Sequence, residues 1–227
     1  MATYVIVHGA GDAGSNWEVV ATELRERGHD VVAPDLPADD ESAGLSDYVD
    51  TVIEAIGDRT DLIVVAHSLG GFTAPLVCAR VPVDLLVLVA AMVPSPGEKA
   101  GEWWTDTGHA QAYDPRWNDD EIGLFLHDAP PELAAAALEK GRDQAAAPML
   151  EPWPLDAWPE VTTRYLLCRD DRFLPAEWTR RMVRERLGVE ADEIDGAHMP
   201  YVSRPRALAE RLETYRIQTR GETWVSR

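Results

Sequence analysis

The chain has 227 residues, 45% of them hydrophobic, enough to bury a substantial core and suited by length to a single domain, 1–227, with one elaboration. Its formal charge of −19 and pI near 4.6, with Lys and Arg scattered, set nucleic acid and anionic membrane surfaces against an average repulsion, so neither is an expected partner. No apolar stretch approaches the roughly 18–20 residues of a membrane span. The first apolar run meets a glycine loop with no cleavable leader ahead of it, and Cys78 and Cys168 lie in apolar stretches as reduced thiols; the expectation is a cytoplasmic protein.

In chain order, short β-rich runs alternate with helix-period segments. Tyr4 to Val7, Val31 to Ala33, Leu62 to Ala66, Leu85 to Val89, Thr163 to Leu167 and a weaker run at Val189 to Ile194 read as strands. Between and after them, Trp17 to Arg27, Leu45 to Ile56, Leu69 to Arg80, Ala176 to Leu187 and Arg204 to Tyr215 read as amphipathic helices. This alternation predicts an α/β fold: a mainly parallel six-stranded sheet covered by helices on both faces. From Met92 to Pro159 the rhythm breaks, with helical candidates at Asp119 to Leu126 and Pro131 to Lys140 and five of the eight tryptophans: Trp103, Trp104, Trp117, Trp153 and Trp158. Such a length is too great for an ordinary loop and predicts a small helical lid, 92–159, inserted between strands 4 and 5 over the carboxyl ends of the strands. The tryptophans either fill the insertion's own core or face a ligand pocket, with Trp103 and Trp104 the candidates for the latter. The polar segment from Gln218 to Arg227 is expected to fray.

The third strand runs into Ala66-His67-Ser68-Leu69-Gly70-Gly71. Strand, small-x-Ser-x-Gly and helix is the arrangement that presents a nucleophilic serine on a strained turn, and a serine needs a base to remove its proton. His67, beside it, reads as packing or substrate-lining. Of the six histidines, His198 in Asp-Gly-Ala-His-Met-Pro is best placed as that base, on a glycine-bearing loop after the last strand. The orienting acid comes from Asp170 or Asp171 after the fifth strand, with Asp171 preferred; Asp195, close to His198 in sequence, reads as a turn residue. His8-Gly9-Ala10-Gly11 after the first strand can offer the Ala10 N–H beside the N–H of Leu69 to a developing oxyanion. Gly9, Gly11 and Gly14 also match a bare G-x-G-x-x-G, with Asp35 at the end of the second strand, so dinucleotide binding stands as a competing reading against the serine, aspartate and histidine in order. The histidines and cysteines show no ligand spacing, so no metal and no cofactor is expected.

Through Ser68, Asp171 and His198 in that order, with His-Gly-Ala as oxyanion loop, the sequence resembles the α/β-hydrolase fold family over residues 4 to about 216. His8-Gly9-Ala10, Trp17, the Ser68 turn and His198-Met199-Pro200 are similar to the branch that holds plant methyl esterases, hydroxynitrile lyases and their bacterial relatives. The resemblance implies a first strand lying between the second and third, and a serine hydrolase acting on a small, apolar carboxylic ester through an acyl-enzyme, with Met199 lining the substrate site. The lyases of that branch carry threonine at the position of Gly9 and lysine at that of Met199, which sets cyanohydrin cleavage further off. The same residues are also compatible with a ligand-binding protein that retains a slow triad, or with an acyl-transferring cyclase. Pro75, within the helix behind Ser68, should kink it or remove one of its hydrogen bonds.

Overall fold

The computed structural model describes residues 1–225; of the expected fraying segment, Ser226 and Arg227 lie outside the described residues. Six strands form one wholly parallel sheet in the order β2-β1-β3-β4-β5-β6. These are β1 (Thr3–Val7), β2 (Asp30–Val32), β3 (Leu62–His67), β4 (Leu85–Val89), β5 (Thr163–Cys168) and β6 (Asp192–Ile194). The central strands β1, β3 and β4 are buried along their whole length, which is why they read as unbroken apolar runs instead of alternating ones.

Helices α1 (Glu18–Glu26), α2 (Leu45–Ile56), α3 (Gly70–Cys78), α8 (Ala176–Leu187), α9 (Pro200–Ser203) and α10 (Pro205–Val225) flank the sheet. Successive strand residues point to opposite faces, so two apolar cores result. Val5, Val7, Val64, Leu86 and Leu88 pack with α2, α3 and α8 on one face. Tyr4, Ile6, Val65 and Val87 pack with α1 and α10 on the other. The last helix runs beyond the expected Tyr215 to Val225. Pro75 sits inside α3, which continues to Cys78.

Between β4 and β5 the chain holds α4 (Trp103–Asp106), α5 (Glu121–Phe125), α6 (Pro131–Glu139) and α7 (Ala147–Leu150), interspersed with short 3-10 turns. A single antiparallel bridge from Lys99 to Pro152 closes the root of this insertion. At the same root the Glu98 carboxylate, almost fully buried, pairs with Arg186 of α8, and that guanidinium also donates to the Val93 carbonyl at 2.6 Å.

The connections from β1 and β3 leave in opposite directions along the sheet, to β2 and to β4. A crevice therefore opens between the carboxyl ends of β1 and β3, the general place for a ligand in an open parallel sheet.

Candidate active site

Ser68 follows β3 directly and has φ of 50°, a left-handed backbone that a side-chain-bearing residue adopts only when its surroundings enforce it. The glycines around it explain the enforcement. A Cβ on Gly70 would lie 2.4 Å from the Val7 carbonyl oxygen, and one on Gly71 would lie 1.9 Å from that of Met92. Only hydrogen at both positions lets α3 rise so close to β1 and to the end of β4. The turn into Ser68 is sharp for that reason, and the positive end of α3 stands immediately behind the serine.

His198 and Asp171 meet in the structure. The Nδ1–H of His198 donates to Oδ2 of Asp171 at 2.7 Å, and both side chains are buried. The other carboxylate oxygen accepts the backbone N–H groups of Phe173 at 2.8 Å and Leu174 at 2.9 Å, so the acid is held from both ends. With Nδ1 engaged, Nε2 is the imidazole's free acceptor. Asp170 turns instead to the Gly196 N–H at 3.2 Å, and Asp195 pairs with Arg169 at the surface.

Ser68 and His198 line one cavity of about 530 Å³, which Gly9, Ala10 and Gly11 also line. His67 and Met199 stand on its wall, together with Phe125, Phe173 and Tyr201. The insertion contributes Glu121, Leu138, Arg142 and Asp143. Trp103 and Trp104 are not among the lining residues, which corrects the expectation for them. Trp103 is wholly buried in the core and satisfies its indole N–H on the Val93 carbonyl at 2.9 Å. Trp104 packs edge-on against Trp103 and His109 and tilts onto Phe173, so it backs the wall without forming it.

Two histidines next to the site have structural partners of their own. His67 donates its Nε2–H to the carbonyl oxygen of His198 at 2.9 Å; burial, and then the neighbouring His198, hold its pKa well below the usual histidine value, so it stays neutral. Its Nδ1 is buried without a hydrogen-bond partner.

His8 has a tautomer fixed by its neighbours. Its Nε2 accepts the Leu36 N–H at 2.9 Å, so the proton is on Nδ1 and is donated to the Gly9 carbonyl at 2.8 Å. Burial keeps its pKa low, against the smaller opposing pull of the Gly9 bond and of Asp12. The Gly9 carbonyl and the Ala10 N–H belong to one planar trans peptide, so the imidazole fixes the direction of that N–H. Neither the Ala10 nor the Leu69 N–H donates to another group among the described residues.

A buried carboxylate ties this loop to the His198 loop: Asp12 accepts the Tyr201 hydroxyl at 2.8 Å and the Asn16 amide at 2.6 Å. Burial, and then Asp12, raise the Tyr201 pKa well above its ordinary value, so the phenol remains a donor. Sequence reasoning includes His8 in the oxyanion loop without assigning its side chain a role, and it misses Asp12 and Tyr201, although each lies near a motif that it does identify.

The glycine loop offers little to a dinucleotide. The Gly14 N–H is taken by the Asp35 carboxylate at 2.7 Å, and a Cβ on Gly14 would meet the Ala33 carbonyl oxygen at 2.1 Å. Gly14 and Asp35, which read as parts of a fingerprint, instead serve each other. Among the described residues, no three His, Cys, Asp or Glu side chains cluster as metal ligands.

The model of the alpha/beta hydrolase family matches residues 4–211. The chain belongs to this family. Methylesterase 7 of Arabidopsis thaliana is 28% identical over 242 residues, covering 90% of this chain and 92% of the relative. Methyl jasmonate esterase 1 of Vitis vinifera is 26% identical, covering 92% and 95%. Among solved structures, polyneuridine aldehyde esterase superposes with a TM-score of 0.82 at 19% identity, covering 95% of this chain and 99% of that one, a likeness of fold. The family's sheet order, with the first strand between the second and third, is the order seen here.

Proposed function

We propose that the protein is a serine hydrolase that cleaves a small, largely apolar carboxylic ester. The observation that carries this reading is the buried His198–Asp171 bond of 2.7 Å on the wall of the cavity that also holds Ser68 on its strained turn. Esterase relatives that span nine-tenths of the chain support the same reaction class.

His198 Nε2 takes the Ser68 proton as Oγ attacks the ester carbonyl, and the Asp171 carboxylate stabilises the imidazolium that results. The Ala10 and Leu69 N–H groups receive the oxyanion, each donor worth about 3 kcal/mol to the transition state. The imidazolium then protonates the departing alkoxide, and water repeats the sequence in reverse on the acyl-enzyme. Phe125, Phe173, Leu138 and Met199 offer an apolar surface to the acyl or alcohol part, in a cavity sized for a small molecule. Residues 92–159 serve as the lid, since Glu121, Phe125, Leu138 and Arg142 supply one wall.

The test is a fluorophosphonate probe followed by peptide mass spectrometry, beside a p-nitrophenyl acetate assay of the wild type and Ser68→Ala. An adduct on Ser68, multiple turnovers and an inactive variant are expected. Activity of Ser68→Ala at the wild-type rate would overturn the reading. Labelling without repeated turnover would replace it with a ligand-binding role.

A further inference from the structure

The insertion and the oxyanion loop meet in a clamp around Gly11. The Gly11 N–H donates to Oε1 of Gln144 at 3.2 Å, and the Gly11 carbonyl accepts the Arg142 N–H at 2.8 Å. The two backbones are in near contact. Gly11 has φ of +63°, a Cβ on it would lie 3.0 Å from the Arg142 carbonyl oxygen, and one on Gly141 would lie 3.0 Å from the Gly11 carbonyl oxygen.

Gln144 is itself held. Its Nε2 donates to the Tyr48 hydroxyl of α2 at 3.1 Å and to the Ala145 carbonyl at 3.0 Å, and the Ala145 N–H reaches the Ala38 carbonyl at 2.7 Å. A flipped amide would set donor against donor at Gly11 and acceptor against acceptor at Ala145. The orientation of Oε1 is therefore determined.

Ala10 lies between two restrained peptides. The one on its amino side is fixed by His8 through the Gly9 carbonyl, and the one on its carboxyl side by Gln144 through the Gly11 N–H. We infer that Gln144 is a positioning residue for the oxyanion site, so that the Ala10 N–H reaches its working direction only when segment 141–145 of the insertion is seated on the loop. This rests on the serine-hydrolase reading, and in particular on Ala10 as a donor to the oxyanion.

The test compares Gln144→Met, which keeps the length but removes the acceptor, with Gln144→Glu, which retains an acceptor oxygen. A trifluoromethyl ketone that captures Ser68 as a tetrahedral oxyanion is measured against the matching methyl carbinol, which fills the cavity without charge. For Gln144→Met, kcat and ketone affinity should both fall about tenfold or more, as small displacements of a catalytic group do. Carbinol affinity and KM should hold within about twofold, and Gln144→Glu, which keeps the acceptor for Gly11 but sets an oxygen against the Ala145 carbonyl, should recover part of the loss. Wild-type kcat and ketone affinity in folded Gln144→Met, or equal loss of ketone and carbinol, would overturn the inference.

Should Gln144→Met fail to fold, Tyr48→Phe removes one of the amide's two anchors and takes its place, with selective loss of ketone affinity of about threefold expected and none overturning. Ser68→Ala separates the two levels. If it stays active, the underlying reading falls; if it is dead while Gln144→Met behaves as wild type, only the role of Gln144 falls.

Discussion

His67 Nε2 lies 2.9 Å from the carbonyl oxygen of His198, so the residue beside the candidate nucleophile holds the backbone of the candidate base. Across the site their rings lie 4.7 Å apart, and the His67 ring is also edge-on to Trp17 and Tyr201. The segments of the candidate nucleophile and the candidate base are thereby joined through a neutral imidazole.

His67→Phe keeps the ring and removes the bond. The orphaned His198 carbonyl should cost about 1–3 kcal/mol in urea denaturation, and kcat should fall with it. The pH dependence has a definite sign. Burial lowers the pKa of both His8 and His67 in the folded protein below the ordinary 6.5, so the unfolded chain takes up protons first as the pH falls. Their contribution is complete above about pH 6.5 and declines below it, toward the lowered folded-state values. The urea midpoint should therefore drop from about pH 7 to about pH 5, and less steeply in His67→Phe than in the wild type. Equal slopes would remove His67 from the account.

The two neighbouring aspartates after β5 have different partners, His198 for Asp171 and the Gly196 N–H for Asp170. Asp171→Asn leaves the volume unchanged but sets an amide against the His198 Nδ1–H, or forces the proton onto Nε2. A loss of kcat of about ten thousandfold is expected. Asp170→Asn keeps an oxygen for the Gly196 N–H and should stay within a few-fold of wild type, both read with the p-nitrophenyl ester. Similar losses in the two variants would mean that the loop as a whole, and not the Asp171 carboxylate, had been disturbed.

At the root of the insertion, Arg186→Met leaves the buried Glu98 carboxylate without its cation. Destabilisation of about 3 kcal/mol is expected, and replacing both partners with apolar residues should recover much of it, since the cost lies in the stranded charge. A urea midpoint that fails to move in Arg186→Met would show that solvent reaches Glu98.

What the sequence makes legible follows from how local each feature is. The runs at Leu62 and Leu85 are apolar throughout because both faces of a central parallel strand are buried. The Ser68 turn is legible because Gly70 and Gly71 must accept backbone contacts in any such turn. The loops of Asp171 and His198 can be chosen because each follows a strand on the carboxyl edge. Asp171 is told from Asp170 only by the loop's final direction, which the spacing to Pro175 matches without determining. The place of Trp103 is not legible, because an aromatic beside a pocket and one behind it have the same local signature; the Val93 carbonyl that takes its indole N–H decides the matter. The role of His8 depends on Leu36, in the loop after β2, and that of Gln144 on Gly11, across the fold; no periodicity reports such pairs. Short helices such as Trp103–Asp106 and Ala147–Leu150 are too brief to carry a 3.6-residue pattern.

The insertion is fastened separately to the Asp171 loop, the His198 loop and the loop of Ala10. His109 donates to the Phe173 carbonyl at 2.6 Å beside Asp171, the Phe125 carbonyl receives the Met199 N–H at 3.3 Å beside His198, and Gln144 holds Gly11 beside Ala10. It is consequently a poor unit of exchange. The corresponding segment transplanted from a relative would change part of the cavity wall and at the same stroke release all three loops. Single side chains of the insertion that line the cavity, such as Glu121, Leu138 and Asp143, can be exchanged without touching these fastening points.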